Sequence, residues 1–179
     1  MNSLTFSAVD SSNWRDLEKL FESKGGPHSC WCMVWRNMAN GKDRSKKDDK
    51  KNSLKTYVDQ GLPIGILCYD NTEPAAWCAV APRNSYRNLG GTKTRDPVWS
   101  LVCFFVKKDH RKQGVIRKLI AAAEEYAKKN GAAYLEAYPV DKASPSYRFM
   151  GFKPTFEASG YHFNQKAGTR RNVMIKSLK

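Results

Sequence analysis

The sequence has no long apolar run: no stretch approaches the roughly 18 consecutive apolar residues of a membrane-spanning helix. Its start, MNSLTFSAVD, has neither the basic opening nor the apolar centre of a secretory signal. The expected location is therefore the cytoplasm, and no membrane partner is expected. There is no internal repeat and no low-complexity tract, which excludes solenoids and disordered linkers. Cysteine follows no framework pattern: Cys30, Cys32, Cys68, Cys78 and Cys103 are odd in number, and a chain without an export signal does not invite disulfides. Three of them sit inside apolar runs (ILCY, AWCAV, LVCFF) and read as core. His28, Cys30 and Cys32 lack a fourth ligand, and C-x-C is not the usual C-x-x-C bite, so no metal is expected. Acid is also scarce. Lys and Arg number 31 against 17 Asp and Glu, giving a net charge of +14 and a sequence pI near 9.7. Such an imbalance calls for an anionic partner: a nucleic acid, an acidic surface or a phosphate-rich small molecule. Part of it lies in GKDRSKKDDKKNSLK (41–55), where Asp43, Asp48 and Asp49 dilute the field and a solvated helical face is expected.

What is present suits one α/β domain over residues 1–179, at 41% hydrophobic and 27% charged residues. A first strand is expected over 3–9. A helix follows, capped by Ser11 or Ser12, with Trp14, Leu17, Leu20 and Phe21 at helical spacing, ending near Gly25-Gly26-Pro27. After HSCWCMVWRNM and the charged helix, LPIGILCYD and PAAWCAVAP form a hairpin across Asp-Asn-Thr-Glu. VWSLVCFFV has the apolar density of a strand buried on both faces. A helix from Gly114 to Asn130 carries Val115, Ile116, Leu119, Ile120, Ala123, Tyr126 and Ala127 on one stripe, with Gly131 at its C-cap. AYLEAYPV is a strand, SPSYRFMGF a short helix, and FEASGYHF with NVMIKSL a closing antiparallel pair. The order β-α-α-β-β-β-α-β-α-β-β is that of a mixed α/β sheet.

The chemistry concentrates at VKKDHRKQGVIRKL (106–119), a basic glycine-bearing turn between strand and helix. The first N–H groups of a helix lack internal partners and the helix dipole adds positive charge there, so such a turn is suited to an anion. Gly114 removes a side chain that would hold a phosphate off the backbone, and Arg111, Lys112, Arg117 and Lys118 add formal charge.

In this context Arg111-Lys112-Gln113-Gly114-Val115-Ile116 resembles the pyrophosphate loop, Q/R-x-x-G-x-G/A, of the GNAT N-acetyltransferase superfamily, with Ile116 in place of the small residue. LEAYPV followed by Tyr147-Arg-Phe-Met-Gly151-Phe152 resembles that superfamily's fifth strand and Y-x-x-x-G-F segment, so the likeness spans roughly residues 98–152. Cys30-Trp-Cys-Met-Val-Trp35-Arg36, Trp77 to Arg83 and Trp99 to Val106 resemble a bacterial-type branch carrying a CWCM-W-R segment.

The resemblance implies a central, mostly antiparallel sheet with the fourth and fifth strands parallel and splayed, flanked by helices. It implies acetyl-CoA as co-substrate and direct transfer of the acetyl group to the amine of a small molecule or peptide. Residues 111–117 would cradle the pyrophosphate, including the backbone at Val115 and Ile116 and the side chain of Arg117. Phe104, Phe105 and Val106 would offer backbone groups to the pantetheine arm. Tyr147 would protonate the leaving thiolate, and Glu136 is the candidate base. Trp31 and Trp35, at i, i+4 spacing, either line an aromatic acceptor pocket or pack in the core. The family includes monomers and homodimers. Two alternatives stand beside this reading. One is a basic nucleic-acid-binding module using the 42–55 helix, Arg83, Arg87, Arg170 and Arg171 as a phosphate track, although no helix-turn-helix, zinc-finger or RNP pattern accompanies it. The other is a non-catalytic acyl-CoA-binding domain, to which Ile116 lends weight.

Overall fold

Apolar residues at helical spacing give α1 (Trp14–Glu22) a buried side of Trp14, Leu17, Leu20 and Phe21, and give α3 (Val115–Lys129) one of Val115, Leu119, Ile120, Ala123 and Ala127. These helices cover opposite faces of a seven-stranded sheet in a computed structural model that describes residues 4–38 and 41–179. The remaining elements are α2 (Lys47–Asp59), β1 (Leu4–Ala8), β2 (Ile66–Asp70), β3 (Glu73–Pro82), β4 (Val98–Val106), β5 (Tyr134–Ala137), α4 (Lys153–Glu157), β6 (His162–Ala167) and β7 (Arg171–Ser177). Ser3, the first residue of the expected opening strand, lies outside the described residues.

The strand order is β1-β2-β3-β4-β5-β7-β6, antiparallel throughout except for the parallel β4/β5 pair. The expected mixed sheet is therefore what forms. β3 explains why its sequence reads as continuously apolar. Trp77, Ala79 and Ala81 pack on the α1 side, while Ala76, Cys78 and Val80 pack on the α3 side, so alternate residues are buried in two different cores. Trp77 meets Phe21 edge-on at 5.6 Å between ring centroids, fixing α1 to the sheet.

Two elements differ from expectation. Residues 144–152 contain only a 3-10 turn at Arg148–Met150, because Val140 bridges to Phe152 and the backbone of Lys153 donates to Val140, holding the segment extended. The short helix comes later, as α4, with Pro154 at its start, and it delays β6 to His162. The basic 41–55 stretch becomes helical only from Lys47, in α2, and residues 41–46 are exposed turns before it. Some of its charges are paired: Lys51 lies 2.9 Å from Glu18 and 2.8 Å from Glu22 of α1, and Lys42 pairs with Asp49.

Leu119 on α3 is fully buried against the sheet. Leu119→Ala is expected to lower the unfolding free energy by about 2–5 kcal/mol. Urea unfolding should show this as a lower midpoint at unchanged slope.

Candidate active site

The site begins with a break in hydrogen bonding. β4 and β5 pair only from Val98↔Tyr134 to Leu101↔Ala137. On its other side, β4 opposes β3 as Ala79↔Cys103 and then Val80↔Leu101, leaving Val102 as an extra residue. A bulge bends and twists the strand that carries it, and this one sits at the residue where β5 is lost. β5 contributes to the parting. Pro139 has no N–H to donate, and Val140 turns to bridge Phe152 and Arg171 instead. Among the described residues, no strand pairs with Val102–Val106 on the β5 side.

At the end of this open edge stands the basic loop. A 3-10 turn at Lys108–His110 leads to Lys112 at φ +62° and Gly114 at φ +75°, and α3 starts at Val115. Gly114 is needed for its left-handed backbone, and the space above its Cα is open. The amides of Gln113, Gly114, Val115 and Ile116 donate to no backbone carbonyl among the described residues. Arg111 Nε donates to Val106 O at 2.9 Å and Gln113 Nε2 to Asp109 O at 2.7 Å, which fixes the loop against itself and leaves the outer guanidinium nitrogens of Arg111 facing out. His110 is tied to β2 through Asp70 at 3.0 Å. Val106, His110, Arg111, Lys112, Gly114, Val115, Ile116, Arg117 and Thr155 enclose a cleft of about 270 Å³. Ile116 is half-buried, packing on the α3-side core while also forming part of the cleft wall. Free amides, cations and open space make this cleft suited to a diphosphate, and the unpaired edge of β4 suits an extended amide-bearing arm.

A second cavity, of about 170 Å³, flanks the same stretch of β4, with walls from Cys30, Cys32, Trp35, Val102 to Phe105 and Phe149. Cys32 Sγ and Cys103 Sγ are 2.9 Å apart within its wall. The hydrogen bond that Cys32 shares with Cys103, together with burial, pushes the Cys32 thiol well above its ordinary pKa. Its own contact with Cys32 and then burial do the same to Cys30. Tyr147 neighbours two of the wall residues, Trp35 and Phe149, and sits at φ +58°, a left-handed conformation costly for a bulky residue. Its ring lies 6.1 Å from Trp35 and 6.2 Å from Phe149, and its hydroxyl makes no hydrogen bond within the described residues. A further groove of about 510 Å³ lies between α3 and β1, lined by Phe6, Ala8, Ala122 and Tyr126 among others, and shares no wall residue with these two cavities.

Two expectations need correction. Trp31 and Trp35 do not share a helical face: residues 28–36 form turns, with Trp31 and Cys32 at positive φ. Trp31 is buried, stacked on Trp14 at 5.9 Å and packed on Phe21, whereas Trp35 alone of the pair lines the cavity. Arg36 of the same segment is also internal, donating to Ile64 O and Tyr86 Oη at 3.0 Å. Glu136 is completely buried, out of direct contact with anything in solvent. Its Oε1 accepts the Thr92 amide at 2.9 Å, its Oε2 accepts the Tyr138 hydroxyl at 2.9 Å, and Arg83 stands 3.5 Å away. A Cβ at position 91 would collide with this carboxylate, so Gly91 lets the 90–95 loop close over it. Glu136 thus fastens that loop to β5. Residues that the motifs did not single out for this mouth are Phe149 and Arg171, whose guanidinium lies 4.3 Å above the Trp35 ring.

Among the described residues, no helix is long and apolar enough to cross a membrane, and no group of three or more His, Cys, Asp or Glu is placed to hold a metal ion.

The family model of the acetyltransferase (GNAT) family matches residues 14–152. Solved structures share the fold at low identity. Aminoglycoside acetyltransferase AAC(6')-Ib, solved with coenzyme A, is 14% identical with a TM-score of 0.62, over 98% of this chain and 95% of that one. The Salmonella typhimurium protein yncA, solved with its cofactor acetyl-CoA, is 12% identical at TM-score 0.60, over 99% and 95%. PaiA N-acetyltransferase from Thermoplasma acidophilum, solved with coenzyme A, is 11% identical at TM-score 0.56, over 98% and 99%. No curated protein matches the chain in sequence.

Glu136→Ala is expected to leave the Thr92 amide without its acceptor and the Tyr138 hydroxyl with Ser100 alone, and to lower stability by about 1–3 kcal/mol. Denaturant unfolding measures this. Unchanged stability combined with abolished turnover would return Glu136 to the role of base.

Proposed function

Because the chain belongs to the GNAT acetyltransferase family, we propose that it is an N-acetyltransferase, moving the acetyl group of acetyl-CoA directly onto a primary amine. The observation that carries this reading is the coincidence of an unpaired β4 edge, Val102–Val106, with a cradle of free amides and cations at its end. Neither a nucleic-acid track nor a plain packing turn would need both.

Acetyl-CoA supplies a thioester carbonyl ready for attack. The protein's part is positional and protonic. The amides of Gln113 to Ile116, with Arg111, Lys112 and Arg117, hold the diphosphate. The backbone of Phe104, Phe105 and Val106 pairs with the arm in place of the missing strand, which aims the thioester at the mouth beside Tyr147. As the amine nitrogen bonds to the carbonyl carbon and the C–S bond breaks, the Tyr147 hydroxyl delivers its proton to the departing sulfur. The proton lost by the amine passes to solvent at the open mouth, since Glu136 is sealed.

Isothermal titration with acetyl-CoA tests the premise, with micromolar binding expected. Gly114→Asp should weaken it at least about tenfold by setting a carboxylate against phosphate. Gly114→Asn, which tolerates the same backbone without the charge, should weaken it less. Equal affinity of wild type and Gly114→Asp would remove the loop from the site. Tyr147→Phe should lower kcat by about 10²–10⁴-fold with acetyl-CoA affinity unchanged, and full activity would dismiss Tyr147 as the acid.

A further inference from the structure

The walls of both cavities beside β4 include no Asp or Glu, and Glu136 is sealed beneath them. A polycationic acceptor would therefore meet Arg111, Lys112 and Arg117 on one side and Arg171 on the other, with no carboxylate in either cavity wall to receive it. The field favours an acceptor that carries negative charge besides its amine.

Arg171 is placed to receive that charge. It opens β7 directly after the β6–β7 turn. Its guanidinium is held over the Trp35 ring at 4.3 Å and stands 5.7 Å from the Tyr147 ring. One amino group donates to Leu89 O at 2.9 Å. Among the described residues, Arg171 pairs with no carboxylate, although it is half-buried and desolvation lowers its pKa. A guanidinium has five donors, and here a single hydrogen bond uses one of them. A cation drawn partly out of water is costly unless something pairs with it. The two rings offset part of that cost. They also orient a planar fork that matches a carboxylate.

The same rings join Arg171 to the apolar cavity. Trp35 lies under the guanidinium and also lines the cavity; Tyr147 touches Trp35, Arg171 and Phe149, and Phe149 is cavity wall. Anion anchor, acid candidate and apolar pocket therefore meet within about one amino acid's reach. The cavity, about 170 Å³, is of the size that holds a benzene ring, for which about 150 Å³ suffices.

We propose that Arg171 is the specificity-determining residue of the acceptor site and that the acceptor is an amino acid, its carboxylate on Arg171 and its apolar side chain in the cavity walled by Cys30, Cys103 and Phe149. This rests on the acetyl-transfer reading above. It excludes polyamines and aminoglycoside-like polycations as preferred acceptors.

The test reads binding, so it does not depend on turnover. Protein saturated with coenzyme A is titrated with N-acetyl-L-phenylalanine and with N-phenethylacetamide, the same product without its carboxylate. The acid should bind about 10- to 100-fold more tightly, the usual worth of a charge-assisted pair. Arg171→Gln should bring the two affinities together, and Arg171→Lys should restore part of the difference, keeping the charge but not the fork. Thermal unfolding of each variant establishes that it is folded. Equal affinities in the wild type, binding of neither compound, tighter binding of spermidine, or a preference that survives Arg171→Gln would each overturn the proposal. If coenzyme A itself fails to bind, the acetyl-transfer reading falls and the acceptor inference with it. If coenzyme A binds and the carboxylate brings no advantage, only the acceptor inference falls.

Discussion

One unsatisfied stretch of backbone organises this molecule: beyond Leu101, β4 has lost the strand beside it. Exposed N–H and C=O groups along a sheet edge demand partners. Here the edge lies inside the sheet, opened by the extra residue Val102 on one strand and by Pro139 on the other. The groups around it are where they are because of that opening. α3 begins where β4 ends, which brings its free amides to the head of the gap. Val140, released from β4, bridges to Phe152 and Arg171 and so draws both the Tyr147 segment and the start of β7 to the gap's side.

The buried polar cluster under the site serves the same opening. Glu136 and Tyr138 sit on the last paired turn of β5 and its continuation, and Ser100 of β4 shares the Tyr138 hydroxyl at 2.9 Å. Burial, the largest cause, raises the Tyr138 pKa well above its ordinary value, so the phenol stays a hydrogen-bond donor and keeps Glu136 satisfied. A fully connected polar group of this kind rigidifies its surroundings. The two strands are held together firmly just before they part.

Much of this was legible in the sequence because it is local. Strand density at VWSLVCFFV, the helical stripe from Val115 to Ala127 and the side-chain-free position at Gly114 all declare themselves within a few residues. The splay was implied only by resemblance, since a bulge leaves no mark in an unbroken apolar run. The side chains around the mouth were harder. Trp35, Tyr147 and Arg171 are brought together by three separate elements, and nothing near Arg171 in AGTRRNV distinguishes it from Arg170. The Trp31 and Trp35 spacing misled because Trp31 and Cys32 take left-handed backbone conformations, which turn one ring inward. Glu136 misled because a strand's alternation shows that two faces exist but not how deeply either is covered. The closing residues here, Gly91 and Thr92, come from a loop some 44 positions earlier.

The Val102 bulge has a consequence for descent. What it exposes is main chain, which every residue type carries alike, so selection on such a groove acts on the count of residues between landmarks more than on their identities. Substitutions along such a strand must keep the buried volume, while a single insertion or deletion within it re-zips the sheet or shifts every side chain to the wrong face. The three structures described agree with this chain at only 11–14% of positions and share its fold.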